Sequence, residues 1–215
     1  MHKAFILFLI ALASPWVAAQ QTRPTTRPAS AAEPKDALRL LNFALRDGDR
    51  NAVAQAFETH SPQEVKLVNA MADYAAALAS LHHQAAKSFG KQGANAVTGD
   101  TDAESSDGLR AIDKAEVEVD GDSAIVHYKN ADDPPVKLKK IGGRWMLPLS
   151  QLTAGADAQS EQQRLEELGN QAHLALKTAD EIAQGKYKDA SDAAQAWQSR
   201  LLDVVLASAT QKKGE

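Results

Sequence analysis

Residues 115–128 read AEVEVDGDSAIVHY, and the fold class turns on this stretch. Ala115, Val117 and Val119 alternate with Lys114, Glu116 and Glu118. That period of two suits an extended strand with one buried face. Asp120-Gly121 is a dipeptide that closes a two-residue hairpin. Pairing Val119 with Asp122 sets Val117 opposite Ala124 and Ala115 opposite Val126, so the apolar residues share a face.

A second hairpin follows in residues 136–149, VKLKKIGGRWMLPL. Turning at Gly142-Gly143 pairs Ile141 with Arg144, Leu138 with Leu147 and Val136 with Leu149, and it puts Trp145 on the same face. Two hairpins of matched register predict an antiparallel sheet of about four strands with one buried side.

Upstream the period is 3.6. Pro34 opens a helix carrying Leu38, Leu41 and Leu45, which Asp47-Gly48-Asp49 breaks, and a short helix bears Val53 and Phe57. Ser61, Pro62 and Glu64 form an N-terminal capping box. Leu67, Met71, Tyr74, Leu78, Leu81 and Ala85 then make one stripe, flanked by Val68, Ala72, Ala75 and Ala79, as far as a stop at Gly90. About 28 residues rise roughly 42 Å. The polar, glycine-bearing stretch Lys91 to Gly108 reads as a mobile loop. After Leu152 the helical period returns in Leu165, Leu168, Ala172, Ala175, Ala179 and Ile182. Gly185 interrupts it, and Trp197, Leu201, Val204 and Val205 mark a last helix before a frayed tail from Gln211.

The N-terminus has the parts of an export signal. His2 and Lys3 precede an apolar run from Ala4 to Ala13, and Val17-Ala18-Ala19 offers small residues for cleavage. The run is far shorter than the ~20 residues a bilayer requires. Residues 20–34, QQTRPTTRPASAAEP, repeat Thr-Arg-Pro and read as a disordered tether. The expected organisation is a signal at 1–19, the tether at 20–34, an α+β domain at 35–150 and a helical extension at 151–215.

Composition narrows the function classes. Loss of Lys3 with the signal moves the formal charge from -4 to -5, and with no basic stripe this argues against nucleic acid and against anionic membranes once the signal is gone. There is no cysteine, hence no disulfide framework, and aromatics are only 5% of residues, so the core has to rely on aliphatics and on close helix contacts.

The helical segment ALRLLNFALRDGDRNAVAQAF (37–57), the hairpin at 115–128 and the Gly-Gly turn leading to Trp145 together resemble the nuclear-transport-factor-two-like, or cystatin-like cone, superfamily, closest to its small exported bacterial members. The resemblance covers about Lys35 to Leu149 and implies three N-terminal helices packed on a curved antiparallel sheet. No strand pair is visible between the second and third helices, and the C-terminal helices fall outside the pattern. Members of that superfamily include isomerase-like and dehydratase-like enzymes, ligand binders and non-catalytic modules, so the resemblance alone implies no activity.

Candidate sites are few. Asp100, Asp102, Glu104 and Asp107 suggest calcium, but loop positions six and twelve hold Ser105 and Ala111 where an EF-hand needs glycine and glutamate. His82 and His83 diverge by about 100° on a helix and cannot share a metal. Asp113, opposite Tyr128 in the predicted register, reads as a charged strand end in water, the alternative being the one carboxylate able to reach the interior. Tyr74, Tyr128 and Trp145 are the inward aromatics and the candidate lining of an apolar pocket. No metal or organic cofactor is expected, no catalytic residue is assigned, and the partner is a protein or a small apolar ligand. The Ala-rich helix faces can pack within one chain or between two, leaving monomer and homodimer open. The sequence therefore supports an exported, non-catalytic binding or interaction protein. The alternative is a small-molecule binder or enzyme with a pocket between helices and sheet.

Cleavage after Ala19 is the first testable outcome. The intact mass of the exported protein should match a chain beginning at Gln20, whereas a membrane-bound product retaining Met1 contradicts the export reading.

Overall fold

A computed structural model describes residues 27–130, 134–153 and 158–211. The expected signal, the tether up to residue 26 and the tail from 212 lie outside the described residues. The chain is α+β.

Helix α1 (Pro34–Asp47) has proline in its first turn and ends at Gly48, whose φ of 67° closes the helix in the left-handed region. Gly48 is also where α1 meets the third helix: a Cβ there would lie 2.7 Å from that of Ala79. Helix α2 (Arg50–Gln55) is capped by Asp49, which accepts the Ala52 N–H at 3.0 Å. Phe57 leaves the expected second helix and forms, with Glu58, the short strand β1.

Helix α3 (Pro62–Thr98) starts as its sequence predicts, with Ser61 Oγ accepting the Glu64 N–H at 3.1 Å. Glu64 in turn accepts from the His60 N–H, one residue before the cap. Gly90 does not end this helix. Its backbone, at φ 74° and ψ 176°, kinks it, and the helix resumes to Thr98. After Gly99 comes helix α4 (Thr101–Lys114), capped by Asp100 accepting the Ala103 N–H at 3.1 Å. The expected loop at 91–108 is thus almost entirely helical. A narrow stripe suffices: Ala94 and Val97 on one side of the junction, and Ser105, Leu109 and Ile112 at i, i+4, i+7 on the other, are buried. Ser105 passes as polar in a hydropathy reading but donates its hydroxyl to Asn42 Oδ1 on α1 at 2.6 Å. Among the described residues four helices therefore precede the sheet hairpins, one more than expected.

Strands β2 (Glu116–Asp120), β3 (Ser123–His127), β4 (Val136–Ile141) and β5 (Arg144–Pro148) form the two hairpins, and β1 joins the sheet, giving the order β1-β5-β4-β3-β2. The sheet has five strands rather than four, and it is mixed, because β1 runs parallel to β5. In the first hairpin the turn is Gly121-Asp122, with Asp120 opposite Ser123 and Val117 opposite Val126. The expected register is off by two residues. Because two is even, each side chain keeps its face. The second hairpin pairs Ile141 with Arg144 as predicted.

In that register Lys137 falls opposite Pro148, which has no N–H to give. Gln151, in the single-turn helix α5 (Ser150–Thr153), replaces it: its Oε1 accepts the Lys137 N–H at 2.9 Å and its Nε2 donates to the Lys137 carbonyl at 2.7 Å. The β5 edge is closed similarly. The N–H groups of Trp145, Leu147 and Leu149 donate to the carbonyls of Ala31, Ala56 and Glu58 at 3.0, 2.9 and 3.0 Å. Ala31 is buried, so ordered packing begins inside the stretch read as tether.

Helices α6 (Ala158–Ala183) and α7 (Ala190–Gln211) complete the chain, and α6 packs on α3 along much of its length. Among the described residues there are two core clusters. One joins α1, α3 and α4 to the inner face of the sheet through Leu38, Leu41, Val126, Leu138 and Trp145, and takes Leu168 from α6. The other joins α3, α6 and α7 through Leu81, Ala85, Ala175, Ile182 and Trp197. The C-terminal helices thus pack on the chain's own third helix.

Trp145 is 4% exposed. Trp145→Ala should destabilise the fold by about 3–5 kcal/mol, the usual cost of truncating a buried aromatic. Urea denaturation measures it, and a loss under about 1 kcal/mol would show that the cavity collapses or the ring is dispensable.

Candidate functional site

The three aromatics expected to line a pocket all pack on the sheet-side core. Trp145 is part of it, on β5. Its cross-strand neighbour Lys140 holds an ammonium 5.6 Å from the ring centroid. Tyr128, just past β3, and Tyr74, on α3, are half-buried against the cluster, and Tyr74 also touches the helical cluster. Burial, helped by the nearby Glu167 carboxylate, pushes the Tyr74 phenol up to about 12. Burial likewise raises Glu167, against a smaller opposing pull from Arg164. Tyr74 is therefore a neutral hydroxyl where the two cores meet.

Asp113 does not reach Tyr128. It lies in the last turn of α4, because β2 starts only at Glu116, and there its Oδ1 accepts from Arg39 Nη2 at 2.6 Å and Nε at 3.1 Å. Arg39 also donates to Asp36 at 2.7 Å, and Lys35 Nζ donates to the Asp113 carbonyl at 2.9 Å. Asp113 is thus part of a surface clasp between α1 and α4.

The acidic segment is spent on helix-building. Asp100 is a cap, Asp102 pairs with Lys91 Nζ at 3.0 Å, and Asp107 pairs with Arg110. The Lys91 contact holds the Asp102 carboxyl below its usual range. Glu104 differs: partial burial, then the charge of Asp100, push its carboxyl up to about 7. The side chain folds back over the junction, where its Oε1 lies 2.9 Å from the position a Cβ at Gly99 would take. His82 Nδ1 is 2.7 Å from Thr98 Oγ1, whose own proton goes to the Ala94 carbonyl at 3.2 Å. Hydrogen-bond accounting thus assigns the Nδ1–H tautomer to His82. Among the described residues no group of three or more His, Asp or Glu is placed to hold a metal ion.

Two polar clusters had no signal in the sequence, because each is completed by a residue from another element, Arg200 on α7 in one and Lys139 on β4 in the other. Glu181, 8% exposed on α6, accepts from Tyr187 Oη and from Arg200 Nη1 on α7 at 2.5 Å. The Arg200 contact, followed by the Tyr187 hydrogen bond, keeps the Glu181 carboxyl below its usual range. This cluster closes the α6–α7 corner. Glu58 is similarly buried, on the outer side of β1, with His60 Nε2 at 3.2 Å and Lys139 Nζ at 3.6 Å from its oxygens. An open groove of about 850 Å³ runs between the kinked part of α3 and the start of α7, lined by Phe89, Gly93, Ala96, Ala190 and Ala194.

The outer face of the sheet is patterned by charge. Glu116, Glu118 and Asp120 of β2 lie on it, with Lys137 and Lys139 two strands away on β4. His127 Nε2 sits 3.6 Å from Glu118 Oε1. On the inner face Val119, at the end of β2, is 57% exposed. The register reading counted it in the core, but the hairpin tip extends past what the helices cover.

No family model matches the chain, and no curated protein or solved structure matches it either. Among the described residues no helix is long and apolar enough to cross a membrane.

Glu104 gives a pH test. Its ordinary value is 4.5 and folding raises it to about 7, so the folded state holds the proton more tightly than the unfolded one. Stability from this group is present below pH 4.5 and is lost as pH rises through 7. Glu104→Gln should leave stability unchanged near pH 4 and raise it by about 1 kcal/mol at pH 8, a figure reduced for solvent screening of a partly exposed group. Melting curves at the two pH values measure it; a variant less stable at pH 8 contradicts the burial account.

Proposed function

We propose that the chain is an exported, non-catalytic interaction protein that presents surfaces of a rigid α+β body rather than an internal ligand chamber. The observation that carries this reading is Trp145. Its side chain is packed into the core, and its backbone N–H is taken by Ala31, so the N-terminal strap closes over the strand where the pocket was expected. Ligand sites are concave and largely apolar, with a few convergent polar groups. Here the inward aromatics are packing elements, and Asp113 is engaged by Arg39 at the surface. Export is the part of the proposal that rests on residues 1–19 alone. The cone-superfamily likeness is its fold-level part, supported by helices packed on one face of a sheet built from two hairpins.

The alternative, a small-molecule site between helices and sheet, predicts that an apolar probe enters the folded protein. Titration with anilinonaphthalene sulfonate should give no saturable enhancement at neutral pH, and emission from Trp145 and Trp197 should not shift. A saturable one-to-one signal that Trp145→Phe alters would favour the pocket and overturn the interaction reading.

A further inference from the structure

The two edges of the sheet are treated differently. At the β5 side, β1 and the Ala31 strap occupy the backbone groups. At the other side, β2 pairs with β3 alone, and among the described residues nothing is bonded to its outer edge. A two-residue hairpin makes Asp120 and Ser123 a hydrogen-bonded pair, and bonded and non-bonded pairs then alternate. Glu116, Glu118 and Asp120 turn their backbone groups towards β3, while Val117 and Val119 turn theirs outward. The edge therefore offers two N–H and two C=O groups at strand spacing.

Its side chains select what can pair there. The carboxylates of Glu116, Glu118 and Asp120 lie on one face, and Glu118 is 75% exposed. Val117 and the 57%-exposed Val119 lie on the other. A second copy of the chain is a poor fit. In a symmetric antiparallel pairing of β2 with itself, facing residues share a face, so acids oppose acids whether the axis passes through Val117, Glu118 or Val119. A strand with Lys or Arg opposite the carboxylates and apolar residues opposite Val117 and Val119 satisfies both faces at once.

From this we infer that the β2 edge is a docking site for an extended, basic segment of another protein. The segment adds to the sheet as a sixth strand with alternating basic and apolar side chains. The inference rests on the interaction reading and names the partner's chemistry.

The test uses the full mature chain and a fluorescein-labelled peptide of alternating lysine and valine, with an alternating glutamate–valine peptide and a scrambled lysine–valine peptide as controls. Anisotropy should show saturable binding of the first only, weakening with added salt. Glu118→Lys should weaken it at least tenfold. Val119→Pro removes one outward N–H and leaves the β2–β3 bonds alone, a place where edge strands accept proline. It should weaken binding comparably, with an unchanged melting temperature confirming the fold. The charge-reversed variant E116K/E118K/D120K should bind the glutamate–valine peptide instead. Equal binding of the scrambled peptide, or full binding by a folded Val119→Pro variant, would reduce the contact to diffuse electrostatics and overturn strand addition. Tighter binding after removal of residues 20–26 would show that the chain's own tether holds the edge, which also overturns it. Absence of peptide binding would remove the edge as a site while the probe titration still judges the interaction reading separately.

Discussion

Everything in this fold leans on α3, because one helix has to be buried from two sides at once. Its first turns face the sheet through Leu67, Val68 and Ala72, and its later turns face α6 and α7 through Ala77, Leu81 and Ala85. Helix faces this rich in alanine bury little area per residue, so they stabilise only when backbones come close. The chain meets that condition with small residues at the crossings. Gly48 lets the end of α1 approach Ala76 and Ala79 of α3, and Ala175 and Ala179 let α6 lie along it. With no cysteine to staple the chain, a methyl group added at such a crossing forces the helices apart rather than filling a void.

The sheet depends on that spine and on a second device, the closing of the β5 edge. Three alternate outward N–H groups on β5 and the residue after it, those of Trp145, Leu147 and Leu149, are matched by carbonyls from Ala31, Ala56 and Glu58, three points on the chain before α3 begins. Folding of the second hairpin is thereby coupled to segments 91 to 114 residues earlier. Gln151 repairs the one ladder position that Pro148 leaves unpaired. Such pairings are non-local and slow to find.

Local signals were the legible ones. The capping box at Ser61, the Gly142-Gly143 turn and the burial of Trp145, Leu147 and Leu149 could all be read, because each depends on residues within a few positions. What could not be read depended on distant partners. The helix over 101–114 escaped because one of its buried positions is Ser105, which is apolar in effect only once Asn42 accepts its hydroxyl. Strand β1 escaped because two residues carry no periodicity, and Phe57 and Glu58 become a strand only when β5 lies beside them. The first hairpin's register differs by two residues from the expected one because Asp120-Gly121 is not the turn itself. Gly121 at φ 56° instead opens the turn, with Asp122 after it. The three aromatics of the candidate pocket pose a related problem: inward-facing rings are needed both to line a cavity and to fill one, and alternation along a strand does not tell the two apart.

The unequal treatment of the two sheet edges carries the argument to the surface. An open edge strand is an aggregation hazard, and proteins blunt it with charge, proline or a covering element. On β5 the chain used coverage. On β2 it used three carboxylates, and among the described residues nothing covers the backbone edge. Charge is the one protection that is selective: it repels a second copy, whose acids would face its own, while a strand of opposite charge meets attraction along the whole edge. Coverage excludes every partner alike. Among the described residues the sheet thus keeps one row of backbone groups open, and the side chains beside that row set the charge and polarity that a pairing strand meets.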